Sequence, residues 1–323
     1  MKIFDAHSDI WTDVTVQRLR GGGDVLNRRH MDRLGKGGVE GSIFVIWVDP
    51  PFDADPMART RDIMDAIRAE MDESGAVTVV HSFDEMMAAR EAGKFYVFIG
   101  IEGLAAIGED LDLIDWYYDF GCRHAGLTWN EQNALATGVK GDPDRGLTAA
   151  GRAAVKKIQD KHMLLDMSHI NEKSFWDVVK IASAPIAATH SNCRALCDVP
   201  RNLTDDQLRA IRDLGGVVGI NSFRQFVDAD PAKQNLDHII RHAAHMIDVM
   251  GIDHVSCGFD FFEFLEEEAM SSMTSDPPAI TGLEDCSKIP DLIQRLKGLG
   301  LNQEELEKIA YRNFHDLIRR TIG

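Results

Sequence analysis

Short apolar runs recur along the chain, separated by longer stretches in which polar and apolar positions alternate with a helical period. The runs are KIFDA (2–6), VEGSIFVIWV (39–48), KFYVFIGIE (94–102), RHAGLT (123–128), MLLDMSH (163–169), PIAATH (185–190), GVVGINS (216–222) and HVSCGFDF (254–261). Each has strand length and is bounded by Gly, Pro, Asn or Asp. Several are continuously apolar, the pattern of parallel strands buried on both faces. Between them, PMARTRDIMDAIRAEMDE (56–73) sets Ile63, Ala66, Ile67 and Met71 on one helical face. Thr204 with Gln207 and Asn302 with Glu305 have the N-cap and N3 spacing that opens a helix, and Asn171 precedes EKSFWDVVKIA in the same way.

Eight such strands alternating with helices predict an α/β chain forming one (β/α)8 TIM barrel over residues 1–323, with helices at its C-terminal end. The rival architecture, a doubly wound open sheet, usually announces itself by a glycine-rich phosphate loop after the first strand. DAHSD stands at that place, and the glycines at 21–23 follow no strand. No Pro- or Ser-rich linker and no internal repeat divides the chain.

Composition changes this picture little. Apolar residues at 44% allow a sizeable core. The net charge of −17 argues against a nucleic-acid partner, which needs clustered Lys and Arg. No uncharged apolar run reaches the roughly 20 residues that cross a bilayer, and no apolar leader follows the N-terminus. Cys122, Cys193, Cys197, Cys257 and Cys286 are odd in number and scattered, so they read as reduced thiols. The expectation is a cytoplasmic protein with no membrane partner. A homo-oligomer is neither required nor excluded.

Chemistry in such barrels gathers at the C-terminal ends of the strands. Read in order, those ends carry His7 and Asp9, then Glu102, His169, His190 and Asp260. Alone, each histidine is more often structural than a ligand. Carboxylates ending buried apolar strands, as Glu102 and Asp260 do, are costly without a cation. Their recurrence on one rim favours metal. Three imidazoles and three carboxylates exceed the needs of one four-coordinate zinc and suit two divalent ions about 3.5–4 Å apart. The absence of thiolate points to zinc first, with manganese, iron or cobalt as alternatives. The other histidines serve as a control. His162 and His254 begin their strands, His238, His242 and His245 read as a solvated helix face, and His30, His81, His124 and His315 lack ligand-type neighbours in sequence.

DAHSD, GIEG, DMSH, THS with RN at 201–202, GFDF and GLEDCSKIPDLIQRL (282–296) together resemble the membrane (renal) dipeptidase family, in its order and over nearly the whole chain. The resemblance implies a binuclear zinc peptidase that hydrolyses dipeptides with a free C-terminal carboxylate, tolerating or preferring a D-residue there. His7, Asp9 and Glu102 would bind one metal, and Glu102, His169 and His190 the other. A bridging hydroxide would attack, with Asp260 as general base and then acid, and Arg201 would grip the substrate carboxylate. Two departures bear on substrate choice. The family's usual His after LT is Trp129 here, so either Trp129 and Asn130 take over that region as substrate contacts or the oxyanion rests on the metal alone, and Phe262 stands where a second acid is common. Segments 11–30 and 262–282 are candidate lids, and the acidic run Glu266–Glu268 reads as a solvated face that would favour cationic substrates only if it faced the site. Action on another amide or lactam is the alternative, and a non-catalytic metal-binding barrel the more distant one.

Overall fold

Continuous apolar runs leave no face for water, and the chain buries them as parallel strands wrapped by helices. The structure, a computed structural model, describes residues 1–266, 269–270 and 279–323. Its strands are β1 (Ile3–Ser8), β2 (Val39–Trp47), β3 (Thr78–Val79), β4 (Tyr96–Glu102), β5 (Cys122–Gly126), β6 (Leu164–Asp166), β7 (Ile186–Ala188), β8 (Val217–Ile220) and β9 (Val255–Cys257). All pairings are parallel, in the order β1-β2-β4-β5-β6-β7-β8-β9, with helices between successive members. The expected eight-stranded barrel is present. The two-residue β3 is an addition. It borrows the start of β4, at Tyr96 and Val97, below the point where β5 joins at Ile99.

The ring is nearly closed. No ladder joins β9 to β1 among the described residues; instead the buried Asp5 carboxylate accepts the Phe259 N–H at 2.9 Å across the seam. Along β2, Ile43, Val45 and Trp47 belong to an inner apolar cluster with Phe4, Ala6, Tyr96, Phe98, Leu164 and Val217. The alternate residues Phe44 and Ile46 pack outward with Trp11 and Ile63 of the flanking helices. The C-terminal helix Asn313–Thr321 adds Phe314, Leu317 and Ile318 to the inner cluster and places Phe314 on Phe4, ring centroids 5.1 Å apart. That plug leaves the opposite mouth, at the strand C-termini, for chemistry.

The capping signals are realised. The helix Pro56–Glu73 has the predicted limits. Thr204 with Gln207 and Asn302 with Glu305 form reciprocal capping boxes, and the Asn171 side chain accepts the Ser174 N–H. All five cysteines are free and buried. The solvated reading of the 238–245 helix face fails at His242. It is 1% exposed, accepts the Cys193 N–H at Nδ1 and donates from Nε2 to the Val227 carbonyl. The flanking Asp237 and Arg241 suggested a wet face, but the helix turns His242 toward the loop after β7.

Candidate active site at the barrel mouth

A bulge in β1 sets the first pair of side chains. Asp5 pairs with Ser42 and Ser8 with Phe44, three steps on β1 against two on β2. The extra residue reverses the in–out phase. Phe4 and Ala6 face the inner cluster, yet His7 and Asp9 also reach the mouth, with His7 Nε2 3.7 Å from Asp9 Oδ2. Strand alternation predicted that these two side chains point the same way. They do, although Asp9 already lies beyond the strand.

Glu102 ends β4. Gly103 follows in a left-handed conformation, φ 89°, and a Cβ there would meet the Trp129 backbone nitrogen at 2.8 Å. Only glycine lets the chain turn away so sharply while Glu102 stays in the mouth. Gly258, just after β9, is needed for a different reason, since a Cβ would strike the Thr189 carbonyl at 1.6 Å. Asp260 then adopts φ 58°, rare for a residue with a side chain, and Asn221 Nδ2 holds its Oδ2 at 3.1 Å.

One carboxylate oxygen is common to the whole group. Glu102 Oε1 lies 2.8 Å from His169 Nε2, 3.3 Å from His190 Nε2 and 3.5 Å from His7 Nε2. His7 Nε2 is 3.8 Å from Asp260 Oδ1. Three ligand-type groups result among the described residues: Glu102, His169 and His190; His7, Asp9 and Asp260; and His7, His190 and Asp166. Trp129, Asn130 and Arg201 line the same cavity, of about 200 Å³. All nine predicted site residues therefore meet at one mouth.

Hydrogen bonds fix the imidazole tautomers. His169 Nδ1 donates to Asn130 Oδ1 at 3.0 Å, and His190 Nδ1 donates to Thr189 Oγ1 at 2.8 Å, whose own hydroxyl goes to Asp166 Oδ2 at 2.5 Å. Both Nε2 atoms then carry lone pairs, yet they lie only 2.9 Å apart and face the same carboxylate. Arg201 Nη2 reaches the His169 lone pair at 3.2 Å, and a cation between the two nitrogens would satisfy both. His7 Nδ1, His7 Nε2 and Asp9 Oδ1 are buried with no hydrogen-bond partner among the described residues. The donor set therefore fits divalent metal.

The electrostatics agree. Burial favours neutral His7, but Glu102, Asp9 and Asp260 overcome it and push its pKa up to about 10, so without metal the site holds a proton there instead. Burial raises Glu102 well above the carboxylate range, and Asp9 and Asp260 add to it against the pull of His7. Burial likewise raises Asp260. His169 and His190 are driven down by burial, with Arg201 and His7 contributing. They are neutral, as ligands must be.

Asp166 was not foreseen as part of the site. Although it clusters with His7 and His190, its oxygens accept from Ser168 N, Ser168 Oγ, Thr189 N, Thr189 Oγ1 and His124 Nε2. Burial would raise its pKa, but His124 and the hydroxyls hold it below the carboxylate range. With its lone pairs occupied it orients ligands rather than supplying one. Its signal was a carboxylate inside the apolar run MLLDMSH. The partner His124 stood alone in sequence because the barrel, not the chain, brings β5 beside β6. Arg201 is buried to 6% exposure. It donates to the Ser168 and His190 carbonyls, and its guanidinium lies 5.1 Å from the Phe226 ring centroid.

Of the candidate lids, 262–282 contributes Phe262 and Leu265 to the cavity, but no residue of 11–30 lines it. That segment packs instead as the first flanking helix, Ile10–Leu19, and a following turn. Glu266 pairs with Arg20 at 2.7 Å and is not a lining residue, while Glu267 and Glu268 lie outside the described residues, as do 271–278.

A parallel (β/α)8 barrel whose mouth gathers imidazoles and carboxylates around a shared oxygen defines a class, the metal-dependent hydrolases. Residues 1–321 match the membrane dipeptidase family, peptidase family M19, and the chain belongs to that family. It is 39% identical to an uncharacterized protein in the pqqA 5′ region of Klebsiella pneumoniae over 75% of this chain and 88% of that one. It is 31% identical to an uncharacterized dipeptidase of Schizosaccharomyces pombe over 74% of this chain and 56% of the relative. A metallopeptidase from Rhodobacter sphaeroides, solved with a phosphinate mimic of L-Ala-D-Ala, superposes with a TM-score of 0.86 at 27% identity, covering 99% of both chains. No helix among the described residues is long and apolar enough to cross a membrane.

Proposed function

We propose that this protein is a two-metal dipeptidase, with zinc the favoured metal, that cleaves dipeptides bearing a free C-terminal carboxylate and accepts a D-residue at that end. The observation that carries the proposal is Glu102 Oε1, within 2.8–3.5 Å of His169, His190 and His7 at once. In this reading His7, Asp9 and Glu102 hold one ion, and Glu102, His169 and His190 the other. Such ions, when bound, bring the pKa of water toward neutrality and polarise the scissile carbonyl.

The protein's own groups do the rest. Asp260, raised by burial and steadied by Asn221, takes a proton from the attacking water and returns it to the leaving amine nitrogen. Arg201 faces the cavity beside His169, where its guanidinium can pair with the substrate carboxylate and so measure substrate length. Asn130 and Thr189 keep the two histidine lone pairs aimed inward. Support for the D-residue comes from the Rhodobacter sphaeroides neighbour, whose ligand mimics L-Ala-D-Ala. A screen of L–L and L–D dipeptides with and without chelator tests the proposal. Turnover that chelator abolishes, with L–D substrates at least as good as L–L, is the expected result. Hydrolysis of no dipeptide, or hydrolysis indifferent to chelator, would reject it.

A further inference from the structure

Beyond the metal centre the cavity is largely apolar: Val199, Pro200, Phe223 and Phe226 line it near Arg201, and the two indoles Trp47 and Trp129 form a separate wall. Asp9, Glu102 and Asp260 are the sole carboxylate residues among its described lining. Arg201 follows β7, and β2 lies four places from β7 in the eight-strand ring, directly across the mouth. There Trp47 ends β2, 2% exposed and locked in the inner cluster, with the Trp129 ring 5.4 Å away at an interplanar angle of 56°. Trp129 in turn lies 6.2 Å from the His169 ring, so the indole pair borders the metal centre directly. Phe262 and Leu265 extend the apolar lining.

A dipeptide whose carboxylate sits on Arg201 and whose scissile carbonyl sits at the metal centre extends its N-terminal half away from Arg201, toward the indole pair. We propose that the Trp47–Trp129 wall receives the side chain of the substrate's N-terminal residue and selects an apolar, preferably aromatic, one. This rests on the dipeptidase reading above and adds a specificity determinant to it. A rigid aromatic surface, the part-exposed Trp129 backed by the buried Trp47, offers stacking at little cost in side-chain ordering. A charged side chain would lose hydration there and, among the described residues, find no carboxylate partner beyond those of the metal centre. Lys140 stands exposed at the rim, its Nζ 5.8 Å from the Trp129 ring, where solvent screens its pull on an anionic side chain.

The test uses the metal-loaded enzyme and X-containing dipeptides with one fixed C-terminal residue, X being Ala, Leu, Phe, Glu or Lys. kcat/KM is expected to rise by about 10-fold or more from Ala to Phe, with Glu and Lys lowest, the size of discrimination an apolar pocket supplies. Trp129→Ala should bring the Phe-to-Ala ratio to within about 2-fold of unity, and Trp129→Phe should keep most of it. A flat series, a preference for Glu or Lys, or a ratio unmoved by Trp129→Ala would overturn the assignment. Calorimetric titration of the Asp260→Asn variant with the same dipeptides separates this from the reaction itself. If dipeptides are not hydrolysed but the Phe compound still binds about 10-fold tighter than the Ala compound, the reaction is misassigned and the wall stands. Equal binding rejects the wall.

Discussion

Thr189→Val removes one buried oxygen from the support of the metal site and leaves the side-chain shape almost unchanged. Thr189 is 0% exposed; its hydroxyl donates to Asp166 Oδ2 at 2.5 Å and accepts from His190 Nδ1 at 2.8 Å. Asp166 retains four of its five donors, so its loss sits near the low end of the about 1–3 kcal/mol for an unsatisfied buried polar group. His190 fares worse. With no acceptor at Nδ1 it pays the upper part of that range, or moves its proton to Nε2, the atom 2.9 Å from His169 Nε2 that must carry a lone pair. The folded, metal-free protein should lose about 2–4 kcal/mol. Metal affinity should fall by about 10–100-fold, as expected when a ligand's supporting hydrogen bond is lost. Chelator competition measures the affinity, and urea denaturation of the metal-free form measures the stability. Thr189→Ser, which keeps the hydroxyl, should stay within about 3-fold of wild type in affinity. Wild-type affinity in the Val variant, or equal losses in both variants, would refute the relay from Asp166 to His190.

Asp260→Asn should bind metal normally, because Asn tolerates the left-handed backbone at φ 58°, yet lose about 100- to 10,000-fold in kcat; retained turnover removes Asp260 from proton transfer. Arg201→Ala should lower kcat/KM for free dipeptides by about 10-fold or more beyond its effect on C-terminal amides, and equal losses would argue against a carboxylate clamp. His315 tests burial away from the site. Burial, with Arg90 adding, holds its pKa down to about 3, whereas the unfolded chain titrates near 6.5. Its contribution to stability is therefore complete above the unfolded value and is lost as pH falls from there toward the folded one. Between pH 7 and pH 5, wild type should lose about 2 kcal/mol relative to His315→Phe in urea denaturation, and a pH-independent difference would contradict a buried neutral histidine.

Periodicity revealed the barrel because parallel strands buried on both faces leave little ambiguity in the apolar runs, and the capping pairs fixed several helix starts. The site was legible where a candidate ligand lies at or just beyond the C-terminal end of its own strand. His7, Glu102, His169 and His190 needed only the rule that chemistry collects at the C-terminal mouth. What escaped depends on contacts between strands. Asp166 and His124 are 42 residues apart and meet only because β5 lies beside β6. The β1 bulge, which brings His7 into the mouth after Ala6, is a matter of register with β2 and has no mark in FDAHSD. His242 was misread because charged neighbours on a helix say little about which loop the rest of the face will meet. The length of segment 11–30, between a strand and the next on the active rim, suggests a lid, but its first half packs against the barrel as the helix Ile10–Leu19.

The central claim is that Glu102 joins two metal ions in a dipeptidase. It is tested most directly by titrating metal-free protein with zinc while following hydrolysis of an L–D dipeptide. The rate should climb from near zero to a plateau at two equivalents per chain. A plateau at one equivalent, or full activity before any metal is added, would contradict it.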